Sequence, residues 1–275
     1  MKSLLQTARL DVAESLRARW YLVYVLVFGG LIAALFAFGL AESRVMGFTG
    51  LSRLLLTYIQ LSMAILPVFV LITTVRSLAG DRETGVFEYI LSFPVPLAAW
   101  YWGRFFGRFL VVASPVVIAM FLAIAYGAMR GAEIPWRDVV FYTVLLAALV
   151  FCFLGISFFI SSLARSTDVA QGAAFLVWLF LLLFLDLILL GLMIREQLPV
   201  DLIVGIALVN PMQVFRTAAM MLFDPQLVLL GPSAYVILDA FGTTGYLVWA
   251  MVYPVLFGGV LAAIGYWRFR STDLV

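Results

Sequence analysis

The chain has 275 residues, 65% of them hydrophobic and 12% charged, with a mean hydropathy of +1.13 and a formal net charge of +2. That composition belongs to an integral membrane protein, and most of the length is needed to cross a bilayer several times, which leaves no room for a soluble catalytic domain. Histidine is absent and Cys152 is the one cysteine, which excludes an intrachain disulfide, zinc sites and Cys/His nucleophile pairs of the usual kind.

Residues 1–19 carry four basic and two acidic side chains and no continuous apolar core, unlike a cleaved signal peptide. Leu5, Ala8, Val12 and Leu16 share one face at helical spacing, with Lys2 and Arg9 near its border. The pattern predicts a helix lying on the membrane; the alternative is a plain extension of the first span. Spans follow at 20–40, opened by Trp20, Tyr21 and Tyr24, at 54–75 and at 109–129, with Pro67 and Pro115 as candidate kinks. Between the second and third lies a charged segment, 78–104. The fourth and fifth spans, 139–164 and 169–194, are separated only by the turn around Arg165 and Asp168 and must form a tight antiparallel hairpin.

From 195 to 245 the chain stays apolar but is broken by Pro199, Pro211, Pro225 and Pro232. Leu202–Val209, Val214–Phe223 and Leu227–Leu230 are too short to cross, so they read as re-entrant or interfacial helices, with Asn210 and Pro211 in the turn between the first two. Such a collar closes a translocation path, docks an extracytoplasmic protein or stiffens the bundle. The last span is 246–267. The fold expected is therefore an all-α integral membrane protein with six transmembrane helices, an N-terminal interfacial helix and short outer helices before the sixth span.

Six spans put both termini on one side. With that side inside, the inner segments hold Lys2, Arg9, Arg17, Arg19, Arg76, Arg82, Arg104, Arg108, Arg165, Arg268 and Arg270, eleven of the 17 basic residues. Arg44, Arg53, Arg130, Arg137, Arg195 and Arg216 lie outside, so cytoplasmic termini are expected.

Asp186 is the one ionisable residue deep within a span. A carboxylate there costs a few kcal/mol unless it is paired or protonated, and Arg216 is its candidate partner; a helix-packing hydrogen bond is the plainer reading. Most methionines fall toward the outer side. Thioethers suit Cu(I), but methionine also fills gaps in apolar cores, so no metal-ligand set is assigned. No GxxxxGK[ST] phosphate loop occurs, and GRFFG at 103–107 lacks the lysine and hydroxyl that a nucleotide phosphate and Mg²⁺ require. The chain is therefore not expected to be an enzyme, to hold a cofactor or, lacking a basic stripe, to bind nucleic acid.

The segment Gly80, Asp81, Arg82, Glu83, Thr84, Gly85, then Phe87, Glu88, Leu91, Pro94 and Pro96, then Gly103 and Arg104, resembles the coupling segment of ABC-2 type permeases, with Arg104 and Val86 where lysine and threonine are usual. The resemblance covers the whole chain. The strings TTVRSLAGDRETGVFEYILSFP, DVAQGAAF, LLLFLDLILLG and NPMQVFRTAAMMLFDPQLVLLGP are similar to the branch of that family that serves maturation of nitrous oxide reductase. It implies a type V, exporter-like fold in a bacterial inner membrane and a homodimer of this chain in membrane lipid. It also implies two copies of a cytoplasmic ABC ATPase that carry ATP and Mg²⁺, and a periplasmic copper-handling or docking protein.

Gly80, Asp81, Arg82, Glu83, Gly85, Phe87, Glu88 and Arg104 are then the expected ATPase-coupling residues, with Gly85–Ser92 as a short amphipathic helix and Arg165 and Asp168 as a smaller second contact. Asp186, Asn210 and Arg216 are candidates for a path or gate. Two readings remain open: export of a sulfur- or copper-related species, and mechanical transmission to the periplasmic partner. The alternatives are export of another small solute or lipid, and an ATP-independent channel or anchor.

Overall fold

The structure is a computed structural model that describes residues 2–37, 50–85, 95–129, 134, 136–185, 187–188, 200–223 and 232–272. Its regular elements are helices: α1 (Lys2–Arg17), α2 (Arg19–Ala37), α3 (Gly50–Glu83), α4 (Leu97–Met129) and α5 (Trp136–Leu163). They continue with α6 (Thr167–Leu179, extended by a π-helical turn at Phe180–Phe184), α7 (Val200–Val209), α8 (Pro211–Phe223) and α9 (Pro232–Thr272, two helices joined at a kink where Gly242 takes a φ of 66°). Five described segments are long and apolar enough to cross a membrane: Gln60–Glu83, Leu97–Tyr126, Trp136–Leu163, Thr167–Phe184 and Phe241–Ser271. Arg19–Leu31 is a shorter apolar helix.

The helices overrun the apolar stretches that announce them. α3 continues past Arg76 to Glu83 and stops where Gly85 takes a left-handed φ of 70°, which a glycine adopts without a Cβ clash. α4 begins at Leu97, directly after Pro96. Much of the expected connecting segment 78–104 is thus continued helix, because charged turns beyond the hydrocarbon keep their i→i−4 bonds as readily as apolar turns within it. The helix expected at Gly85–Ser92 falls mostly outside the described residues, as do 189–194 of the fifth span and Leu227–Leu230.

α1 turns into α2 at Ala18, whose N–H bonds the Ser15 carbonyl at 3.1 Å. Leu5, Leu10 and Leu16 on α1 are exposed, free to enter lipid. Its opposite face carries Thr7, Asp11 and Ser15 and lies along α4, where a Cβ added to Gly103 would sit 2.7 Å from Thr7 Cβ, and one on Gly107 2.9 Å from the Ala8 carbonyl oxygen. The GRFFG string therefore makes a smooth groove that lets α1 approach closely.

α5 is the central helix, lined by buried residues on most of its length from Val139 to Ser162. It meets α9 almost backbone to backbone: a Cβ on Gly155 would lie 2.1 Å from the Gly258 carbonyl oxygen, and one on Gly258 2.6 Å from Cys152 Cα. Cys152 is fully buried at this crossing, a small core residue. Farther along, Tyr101 of α4 donates to the Ala262 carbonyl at 2.8 Å, tying the third helix of this layer in.

Gly155→Val is expected to abolish monodisperse protein on size exclusion in detergent, since the added carbons meet backbone rather than a movable side chain, a cost above the usual 1–3 kcal/mol or so of overpacking. Gly29→Val, whose Cβ meets nothing within 4 Å, is the control and should elute as wild type.

Candidate functional site

At the end of the bundle where α1 ends, α3 ends and α4 begins, charges and carbonyls from five helices converge. Asp11 of α1, its side chain 3% exposed, accepts from Arg104 Nε at 3.4 Å and from Arg108 Nε at 3.1 Å. Arg104 also pairs with Asp81 of α3 and donates to the Ser77 carbonyl at 3.2 Å, while Arg108 donates to the Thr73 carbonyl at 3.3 Å. The guanidinium of Arg104 lies over the Trp100 ring at 5.0 Å, and that of Arg108 over Trp20 at 5.9 Å, the headgroup-type aromatic at the start of α2. One carboxylate thus holds two arginines of a single helix turn, and those arginines cap no helix end but grip the side of α3.

The other half of the junction joins α3 to the turn between α5 and α6. Arg82 donates to the Ala164 carbonyl at 2.8 Å. Glu83 accepts from the Thr167 N–H at 2.9 Å and from its hydroxyl at 2.7 Å. Thr167 opens α6, so Glu83 places a negative charge from another helix on the N-terminal N–H groups, where a carboxylate is favoured. Ser166 is the local cap, its hydroxyl accepting from Val169 N–H at 3.4 Å.

Gly80 packs beside this contact, where an added Cβ would stand 3.4 Å from the Thr167 methyl, an ordinary van der Waals distance. Just inside, Ser161 of α5 accepts from Leu78 N–H at 3.1 Å and Ala79 N–H at 3.0 Å and donates to the Val75 carbonyl, which uses all three positions of its hydroxyl.

A second constellation lies deeper. α7 and α8 form a helical hairpin with Asn210 at its tip, 3% exposed. Its Nδ2 donates to the Leu181 carbonyl in the π-helical turn at 3.0 Å, and its Oδ1 accepts from Met212 N–H at 3.0 Å as the N-cap of α8, with Pro211 in the first helical position. Leu181 lies 14 residues into α6, about 21 Å along its axis. The last carbonyls of α7 are met by α9: Trp249 donates to the Leu208 carbonyl at 3.2 Å and Tyr253 to the Val209 carbonyl.

The structure gathers Gly80, Asp81, Arg82, Glu83 and Arg104 into the junction, with Arg165 and Asp168 exposed at its edge on the α5–α6 turn. Gly85 closes α3 beside them. Asn210 and the half-buried Arg216 belong to the hairpin instead. Phe87, Glu88 and Asp186 lie outside the described residues, and with Asp186 the expected pairing to Arg216.

Sequence reasoning missed Asp11, Arg108, Ser161, Thr167, Trp249 and Tyr253. Asp11 had a signal, a carboxylate between Leu10 and Val12 facing the i,i+4 arginine pair Arg104 and Arg108. Trp249 and Tyr253 had a weaker one, two donors at i,i+4 inside an apolar span.

A family model described as an ABC-2 family transporter protein matches residues 5–274. The chain is similar to a protein of Pseudomonas aeruginosa named as a probable ABC transporter permease protein NosY, 28% identical over 229 residues, which cover 79% of this chain and 81% of that one. It is similar also to a protein of the same name from Stutzerimonas stutzeri, 26% identical over 223 residues, 78% of this chain and 80% of the relative.

Asp11→Ala takes from the buried Arg108 guanidinium its carboxylate and from Arg104 one of two, and is expected to destabilise the protein by about 3–5 kcal/mol, with Asp11→Asn milder. Thermal unfolding in detergent measures both, and adding Arg108→Met to Asp11→Ala should recover part of the loss. Trp249→Phe and Tyr253→Phe are each expected to cost about 1 kcal/mol by the same assay, the size of a hydrogen bond between membrane helices.

Proposed function

The chain belongs to the ABC-2 family of transporter proteins, and from that premise we propose that it is the permease subunit through which a separate cytoplasmic ATPase works across a bacterial inner membrane. α2 supplies the sixth span, both termini face the cytoplasm, and the junction at Asp11, Asp81, Arg82, Glu83 and Arg104 lies on the ATPase side. Two copies of the chain pair in the membrane with two ATPase copies, which bind and hydrolyse the ATP. A periplasmic copper-handling or docking protein meets the outer face. The cellular task is maturation of the copper sites of nitrous oxide reductase, in line with the likeness to the two NosY permeases.

The observation that carries the coupling reading is the bracing of the junction. Residues 86–94 are joined in sequence to α3 on one side and, through Val95 and Pro96, to α4 on the other. Both helices are locked there: α4 to α1 and α3 by Arg104 and Arg108, and α3 to the start of α6 by Arg82 and Glu83. Force applied to that segment therefore moves α3, α4 and α6 together rather than bending one loop.

Between the two modes of action, transmission to the periplasmic partner is favoured. α6 and α9, which respond to the junction and the central crossing, also hold the Asn210 hairpin, α6 by the Leu181 carbonyl that accepts from the Asn210 amide and α9 by Trp249, which donates to the Leu208 carbonyl. A shift in either helix is passed to the outer elements without a path having to open.

In sealed vesicles reconstituted with the ATPase, Arg82→Ala with Glu83→Ala should reduce permease-stimulated ATP hydrolysis about 5–150-fold, the span of a typical coupling energy. Unchanged ATPase binding and stimulation would overturn the coupling reading. In the same vesicles, ATP-dependent accumulation of a labelled copper or sulfur species would replace transmission by export.

A further inference from the structure

α5, α6, the α7–α8 hairpin and α9 enclose a side-opening cavity of about 800 Å³, walled by Ile156, Val177, Gly205, Asn210, Phe257 and Leu261 among others. We propose that it is a binding site for the acyl chain of a bilayer phospholipid, held against the hairpin as a resident part of the structure.

The depth comes first. Ile156 lies seven residues, about 10 Å, before the end of α5, and Leu181 about 21 Å beyond the start of α6, both reckoned from the same end of the bundle. The cavity is therefore inside the roughly 30 Å of hydrocarbon, where the solvent at its mouth is lipid.

The chemistry of the wall comes second. Asn210 is the one polar side chain among the described lining residues, and both ends of its amide are engaged, Nδ2 with the Leu181 carbonyl and Oδ1 with Met212 N–H. Among the described residues the wall offers no charged side chain to a metal ion or a charged solute. An apolar cavity of only about 150 Å³ stays dry and takes up benzene.

Size and surroundings agree. At roughly 30 Å³ per water-sized group, and a methylene is close to that size, the cavity holds one long acyl chain with room to spare. Its rim runs on into exposed apolar side chains, Leu176 and Phe180 on α6 and Leu256 and Val260 on α9, so a chain enters from the lipid without crossing a polar surface. The wall is open at Gly205, where an added Cβ meets nothing within 4 Å, so a larger residue there fills the cavity rather than colliding with backbone.

The test uses the full chain in vesicles containing a small fraction of phosphatidylcholine with a mid-chain diazirine, photolysed and mapped by peptide mass spectrometry. Adducts are expected severalfold above those on the exposed α2 residues Leu22 and Leu26, concentrated on the peptides of Ile156 and Phe257. Gly205→Phe should lower the labelling of those peptides severalfold; Gly172→Phe, at another open glycine away from the cavity, should leave it unchanged. If Gly205→Phe yields no folded protein, Gly205→Leu makes the same comparison.

Labelling no higher than on α2, or no response to either Gly205 variant, overturns the proposal. So does an interchain disulfide through Val209→Cys at the exposed edge of the cavity, which would show a second copy of the chain covering it. ATPase stimulation enters none of these readouts, so they stand apart from the coupling proposal.

Discussion

The carboxylate of Asp11 between Arg104 and Arg108 is the interaction on which the arrangement of this bundle turns. Two guanidinium groups one helical turn apart repel each other and cannot both leave water unless an anion stands between them. Asp11 meets that need only if α1 lies flat along α4, and α1 reaches that position only because Gly103 and Gly107 leave a groove without side chains. Charge and shape are thus one requirement. Once α1 is seated, Arg104 has its remaining donors free for Asp81 and the Ser77 carbonyl, and α3 is joined to the same cluster.

The two ends of the bundle solve the same problem by different chemistry. Near the headgroup boundary the groups that need partners are full charges, and full charges answer them, with Trp20 and Trp100 beneath the arginines. At the hairpin tip the groups are backbone carbonyls and N–H groups left over where α7 stops and α8 starts. Neutral donors answer these: an asparagine amide, an indole and a phenol. Within hydrocarbon a charged donor would cost more than the hydrogen bond returns.

Much of this was legible in the residues, and the reasons for the gaps are physical. The spans, the tight α5–α6 turn and the short helices around Asn210 and Pro211 follow from runs of apolar residues and from proline, both local signals. The overrun of α3 to Glu83 and the early start of α4 at Leu97 were not legible, because a helix is ended by hydrogen bonding and caps, and hydropathy reports only where it leaves the lipid. Asp81, Arg82, Glu83 and Arg104 stood out as a motif. Their partners Asp11, Ala164 and Thr167 did not, since each lies 82 to 93 residues away and is an ordinary residue in its own neighbourhood. GRFFG was weighed for nucleotide phosphates, whereas its glycines serve to admit a helix.

By itself the sequence determined that the chain is a multi-span membrane protein, which stretches are apolar enough to cross and where proline punctuates them, because hydrophobic transfer and proline sterics act residue by residue. Only the tertiary structure decided which helices meet. The crossing of α5 and α9 at Gly155 and Gly258, the seating of α1 on α4 and the sewing of the hairpin to α9 by Trp249 and Tyr253 all depend on pairs far apart in the chain. In a medium as apolar as the side chains themselves, close packing and the pairing of polar groups choose among the possible bundles.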